Sequence, residues 1–250
     1  MQPFHTQPAP LAEDCQVVEL RQYTLKPHRR NTLIELFERE FLESQEAAGM
    51  RVIGQFRDLG DADRFVWLRG FADMDSRRRA LEAFYFGPVW ASHRNTANAT
   101  MVDSDNVLLL RPAWQGAGVG PLRERAPLGT MTPAPGAVDI SVFHLAEPAG
   151  PELLAFARQQ MSDVLMAAGA RQIAWYVTHA AENTFPRLPV REGEHVLVGV
   201  ALFDDVAALA GLADSGAWQR DIAPTLAQWL TQPTQALTLA PTPRSALQAG

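Results

Sequence analysis

The second half of this 250-residue chain repeats the first. Displaced by 120 residues, Ala47-Ala48-Gly49-Met50-Arg51 falls on Ala167-Ala168-Gly169-Ala170-Arg171, and Leu33, Leu36 and Ile53 fall on Leu153, Phe156 and Ile173. The same displacement sets Val18, Glu19, Leu20, Tyr23 and Leu25 on Val138, Asp139, Ile140, Phe143 and Leu145. Further on it grows to about 128–132, with Gly87-Pro88-Val89-Trp90 over Ser215-Gly216-Ala217-Trp218, so the second copy carries an insertion of about a dozen residues. A duplicated unit must bury its apolar surfaces against its twin, which leaves few architectures open.

Within one copy the apolar period switches between that of a strand and that of a helix. Gln16 to Leu25 alternates as a strand, and Pro27 to Ala48 is helical, with Leu33, Phe37 and Phe41 on one face and Gly49 placed to end it. Arg51 to Asp58 and Arg64 to Phe71 form a hairpin across the turn signal Gly60-Asp61. Asp73 caps a second helix, broken at Gly87-Pro88 and running to about Ala99, and Asp105 to Arg111 is the last strand. The second copy gives strands near Val138–Leu145, Ala170–His179, His195–Phe203 and Gln235–Leu239, with helices over Pro151–Ala168 and Asp204–Trp229. Each copy therefore reads as a ferredoxin-like β-α-β-β-α-β unit of the α+β class. A four-stranded sheet with helices on one face needs a cover on the other, so the expected fold is two tandem repeats closing into an intramolecular pseudo-dimeric α+β barrel.

The boundaries follow from composition. Ten of the 25 residues from Pro112 to Gly136 are Pro or Gly. The chain thus divides into a loose tail (1–15), a first domain (16–112), a Pro/Gly-rich linker (113–136), a second domain (137–241) and a C-terminal tail (242–250). A net charge of −6 with both signs interspersed argues against a nucleic-acid partner. No apolar run is long enough to span a membrane, and Met1–Asp14 lacks the pattern of a signal peptide. Cys15 is the single cysteine, which excludes an internal disulfide and fits a reducing, cytoplasmic setting. The six histidines are scattered without metal-ligand spacing, so no metal site is expected.

Several segments resemble one family. Val18-Glu19-Leu20-Arg21-Gln22-Tyr23-Thr24-Leu25-Lys26-Pro27, Arg64-Phe65-Val66-Trp67-Leu68-Arg69-Gly70-Phe71, Gly87-Pro88-Val89-Trp90 with His93-Arg94, and Ala97 to Pro112 look like the NIPSNAP family. In the second half the stretch Asn183 to Glu194 is similar to bacterial members. The resemblance is close over about 16–112 and looser over 137–240. It implies the dimeric α+β barrel superfamily, whose members include cofactor-free monooxygenases, haem-degrading enzymes and haem peroxidases, and it implies little about activity.

The two copies also act as an internal control, because polar residues present in only one are candidates for a site. Glu19 and Asp139 match, as do Trp90 and Trp218, so a shared capping or pairing acid and a packing anchor are the bland readings. Arg21, Tyr23, Trp67, Arg69 and His93 have no like counterpart. Arg21 with Tyr23, and Trp67 with Arg69, share strand faces on neighbouring strands, although alternation alone does not say whether that face meets the helices or the barrel interior. On this reading Tyr23 and His93 are the catalytic proton donor and acceptor, Arg21 and Arg69 the anion clamp, and Trp67 and Trp90 the apolar walls of a pocket for a small anionic or carbonyl-bearing ligand. No cofactor is required. The bland alternatives are that Arg21 or Arg69 pairs with Glu19, Asp58 or Asp73, that Tyr23 is core, and that His93 is an ordinary helix residue. The inserted hairpin loop near 182–194, with Phe185, Arg187 and Arg191 between stiffening prolines, is a candidate lid or interface. Two other functions compete: haem binding with His93 as axial ligand, and a non-catalytic interaction module whose unshared polar residues lie exposed. Association into homo-oligomers is left open.

Overall fold

The computed structural model describes residues 8–250. Eight strands, all paired antiparallel, close a barrel: β1 (Val17–Leu25), β2 (Arg51–Asp58), β3 (Arg64–Phe71), β4 (Met101–Pro112), β5 (Ala137–Leu145), β6 (Gln172–Thr178), β7 (His195–Phe203) and β8 (Gln235–Pro241). Around the barrel the order is β1-β3-β2-β8-β5-β7-β6-β4, so each repeat keeps its own four-stranded sheet, β4-β1-β3-β2 and β8-β5-β7-β6. The repeats meet at two short seams, Phe56–Asp58 of β2 on Leu239–Pro241 of β8, and Leu110–Pro112 of β4 on Tyr176–Thr178 of β6.

Alternation along the strands sorts the side chains into two environments. Val18 and Leu20 of β1, Val66 and Leu68 of β3, Ile140 and Val142 of β5, and Val198 and Val200 of β7 point inward and fill the barrel with one apolar core. The other set faces the helices, Glu19, Arg21 and Tyr23 in the first repeat and Asp139, Ser141 and Phe143 in the second. This settles the question that alternation left open: Arg21, Tyr23, Trp67 and Arg69 look toward the helices, while the barrel interior holds an apolar core.

The duplication reaches fine detail. The first long helix of each repeat is interrupted by a wider π turn, at Phe37–Phe41 and again 120 residues later at Ala157–Met161. Gly49 and Gly169 end these helices with positive φ, 97° and 95°, which a residue with a Cβ adopts only at a cost. Asp73 and Asp205 cap the next helices by accepting from the backbone N–H of Ser76 and Ala208, now at a displacement of 132. The extra residues of the second copy lie in the β6–β7 connection.

Two segments expected as tails are built into the fold. From the N-terminal one, Ala12 and Cys15 are buried in the barrel core, and Gly70 lacks the Cβ that would stand 2.4 Å from Cys15 Sγ. Burial in this apolar setting pushes the Cys15 thiol up to about 12, against the opposing pull of Arg51. Residues 1–7 lie outside the described part. At the other end Thr242, Ser245, Ala246 and Leu247 are buried, and Leu247 joins the barrel core. Glu38 anchors this segment, accepting from Thr242 Oγ1 at 2.6 Å, the Arg244 backbone N–H at 2.8 Å and Gln55 Nε2 at 3.3 Å. The linker also does more than connect. Val119 sits in the barrel core, and its N–H donates to the Tyr176 hydroxyl at 2.8 Å. Length and a high Pro and Gly content predict a loose connector; the apolar residues spaced between them close the barrel end.

Candidate functional site

The space between sheet and helices is used differently in the two repeats. In the first, Glu19 is fully buried and holds three guanidinium groups. Arg21 Nη1, Arg69 Nη2 and Arg77 Nε each lie 2.7 Å from its carboxylate. Arg21 Nε also donates to the Tyr23 hydroxyl at 3.0 Å, Arg69 Nη1 reaches Gln45 Oε1 at 3.3 Å and Tyr85 Oη at 3.4 Å, and Arg77 Nη1 reaches Asn183 Oδ1 at 3.1 Å and Thr184 Oγ1 at 3.3 Å. The Trp67 ring lies 5.6 Å from the Arg21 guanidinium and 5.1 Å from that of Arg69, close enough for cation–π attraction. Burial alone would raise the Glu19 pKa; the three arginines, Arg69 foremost, hold it instead well below the usual carboxylate range.

Arg21, Tyr23, Trp67 and Arg69 thus come together as the strand pairing predicts, with Arg21 opposite Trp67 and Glu19 opposite Arg69 across β1 and β3. All four are buried, which removes the exposed polar surface that the interaction-module reading requires. His93 does not join them. Its Nε2 is 3.4 Å from Glu40 on the first helix and its ring lies against Phe41. Trp90 packs on Tyr85, Phe41 and Phe84, as a structural anchor does. Sequence reasoning missed Arg77, which a helical charge pattern disguises as a surface residue, and it set Glu19 aside as a shared pairing acid, which it is.

Loop 182–194 of the second repeat covers this cluster. Phe185 is buried against Tyr85 and Phe86, Asn183 and Thr184 bind Arg77, and the Arg187 guanidinium stands 5.0 Å over the Phe86 ring. Arg191 pairs with Glu194 at 2.6 Å and with Asn106 Oδ1 of β4 at 3.2 Å.

In the second repeat the arginines and the tryptophan of the cluster are replaced by smaller, uncharged residues, while Phe143 keeps the ring of Tyr23. Register places Ser141 where the first repeat has Arg21, Gly199 where it has Trp67, and Ala201 where it has Arg69. Displacement by 132 puts Leu209 at the place of Arg77, and displacement by 120 puts Leu165 at that of Gln45. What remains is a cavity of about 520 Å³ between sheet and helices, walled by Phe143, Trp175, Trp218 and these smaller residues. The Trp175 ring lies across Gly199, where a Cβ would come within 2.8 Å of it, and its Nε1 donates to Ser162 Oγ at 2.9 Å. Phe143 stacks on Trp218 with centroids 6.1 Å apart and planes 17° from parallel.

Asp139 keeps the position of Glu19 but has lost all three cations. Among the described residues that line the cavity there is no arginine, lysine or histidine. Among the described residues the half-buried carboxylate accepts only from Ser141 Oγ, at 2.8 Å. Burial pushes its pKa up to about 6, and the hydrogen bond from Ser141 recovers part of that cost. Carboxylic acids at equivalent positions, Glu19 and Asp139, are thus held ionised in one repeat and poised near neutrality in the other.

The NIPSNAP family model matches residues 18–114. That segment is a NIPSNAP domain. It carries the Glu19 cluster, whereas the Asp139 cavity lies in the repeat beyond the matched region. No curated protein sequence matches the chain. Among solved structures, the chain that contains this NIPSNAP domain is similar to a candidate monooxygenase from Lactobacillus acidophilus NCFM, with TM-score 0.58 and 10% identity over 92% of this chain and 98% of that one. An anthrone oxidase-like protein aligns with TM-score 0.54 and 15% identity over 96% of this chain and 98% of the other. A candidate monooxygenase from Fusobacterium nucleatum gives 0.57 and 6%, over 94% and 96%. At these identities the likeness is one of fold, and it extends over nearly the whole of both chains. Among the described residues no helix is long and apolar enough to cross a membrane, and no cluster of metal-ligating side chains occurs.

Proposed function

We propose that the protein binds a neutral, aromatic, carbonyl-bearing small molecule in the cavity of the second repeat, and that Asp139 removes and returns a proton there. The observation that carries this reading is a carboxyl group without a cationic partner at the wall of an apolar cavity. Such a group holds its proton about as tightly as a neutral solution does, the condition under which a general base and its conjugate acid are both populated. Ser141 fixes one carboxylate oxygen and leaves the other free for the substrate. The rings of Trp175, Phe143 and Trp218 offer flat apolar contacts, and an anionic ligand is disfavoured because it would meet Asp139 with no cation to offset the repulsion.

In the step envisaged, Asp139 as carboxylate accepts a hydrogen made acidic by a neighbouring carbonyl. The C–H pair of electrons becomes an enolate, and the protonated Asp139 can hand the proton back. No cofactor is needed for this exchange. The first repeat is less suited to a ligand of this size, because its arginines are already bound to Glu19 and Tyr23, Trp67 and Tyr85 stand against them. For haem, His93 would have to leave Glu40; a Soret band lost in His93→Ala is the observation that would revive it.

The test uses anthrone, a planar ketone with an acidic methylene, chosen from the name of one fold neighbour. Titration should quench the fluorescence of Trp175 and Trp218 saturably. Asp139→Asn should retain binding while exchange of the methylene hydrogens with deuterated solvent falls by about 10²-fold or more. Unaltered exchange in Asp139→Asn, or no saturable binding of any planar aromatic ketone, overturns the reading.

A further inference from the structure

The first repeat has a charge problem that its own residues do not solve. Arg21, Arg69 and Arg77 are 1%, 0% and 0% exposed, and Glu19 is the single carboxylate within hydrogen-bonding distance of them among the described residues. The other groups that meet them, Tyr23, Tyr85, Gln45, Asn183 and Thr184, are neutral. Guanidinium groups stay protonated in proteins, so three positive charges face one negative charge in a closed space. The rings of Trp67, Phe71 and Tyr85 lie near the cations, but a ring quadrupole softens a surplus charge without cancelling it. Two buried donors, Arg77 Nη2 and Trp67 Nε1, also have no hydrogen-bond partner. Native interiors rarely leave such groups unsatisfied, and here both belong to the group that carries the surplus.

We infer that the Glu19 cluster is a binding site for one small anion, of the size of formate, nitrate or bromide. Its donors are guanidinium N–H groups, which match planar oxyanions two at a time. Tyr23, Trp67 and Tyr85 stand against the guanidinium groups, which limits the ligand to a few atoms. Loop 182–194 closes over it, with Asn183 and Thr184 holding Arg77 in place, so the anion ties the two repeats together through the insertion. Burial works against the charge on Arg77, which Glu19 only partly supports, and a second anion relieves that. The site stands apart from the Asp139 cavity and does not depend on the function proposed for it.

The experiment is a melting series on the full chain in sodium formate, nitrate or bromide, with sodium gluconate holding ionic strength constant. Wild type should gain several degrees along a saturating curve, whereas a general salt effect gives a linear one. Arg77→Met should lose the saturable part, and Asp139→Asn should keep it. Bromide-soaked crystals of the wild type should show an anomalous peak among the guanidinium groups of Arg21, Arg69 and Arg77. If Arg77→Met does not fold, the wild-type curve and the bromide peak decide. A linear response with no bromide peak at the cluster overturns the inference, as does a saturating response that Arg77→Met retains.

Discussion

Replacing Asp139 with Asn should make the protein more stable at neutral pH. The carboxyl is displaced upward from an ordinary value of 3.8 to about 6, and each unit of displacement corresponds to about 1.4 kcal/mol. Two units give about 3 kcal/mol, an upper bound because Asp139 is half-buried and water in the cavity screens it. The direction follows from proton linkage. Between pH 4 and 6 the folded state keeps the proton and the unfolded chain releases it, so stability falls as pH rises. Above pH 6 both states are ionised and the full penalty persists. Below pH 4 both are protonated and it vanishes. Asn is neutral throughout and still offers Ser141 an acceptor oxygen. Urea unfolding of both forms at pH 4.0 and pH 7.5 should therefore show no gain at the lower pH and up to about 3 kcal/mol at the higher. Subtracting wild type from variant at each pH cancels the other titrating groups. An Asn variant less stable than wild type at pH 7.5 would refute the reasoning, for it would mean that Asp139 is held ionised by a partner.

Glu19 should behave in the opposite sense. Its pKa is depressed, so its contribution is present above the ordinary carboxylate range and is lost only as pH falls through the folded value; Glu19→Gln should cost about 3–5 kcal/mol at pH 7 by chemical denaturation. Gly199→Ala places a Cβ against the Trp175 ring, and the displaced ring should reduce stability by about 1–3 kcal/mol and weaken ligand binding in the cavity, read by fluorescence titration. Deleting residues 242–250 strips Leu247 from the barrel core and leaves Glu38 without Thr242 and Arg244; limited proteolysis should then cut within the linker at 113–136 faster than it does in the intact protein.

The duplication made the architecture readable. Strand order, the hairpin turn, the capping aspartates and the glycines that end the first helices all lie in local patterns that occur twice, and each copy corroborates the other. The cluster of Arg21, Tyr23, Trp67 and Arg69 was legible for the same reason, since strand period and pairing fix which side chains are neighbours. Its meaning was not. Unshared polar residues draw the eye to the first repeat, yet there they neutralise a buried acid. The cavity arises from what the second repeat lacks: Ser141, Gly199 and Ala201 carry no chemical signal alone and become informative only when set over Arg21, Trp67 and Arg69. The buried ends were illegible because residues such as Cys15 and Leu247 take their role from contacts distant in sequence, and no local period announces those.

The covalent joining of the repeats has a bearing on how such a molecule changes over time. In a symmetric pair of identical chains any substitution is made twice, so a locked salt-bridge knot and a vacant hollow could never occupy matching places. Once both halves lie on one chain, one side is free to keep the fold rigid while the other gives up packing to make room. Asymmetry of this kind lets a single barrel hold a densely packed half beside one that keeps an open cavity.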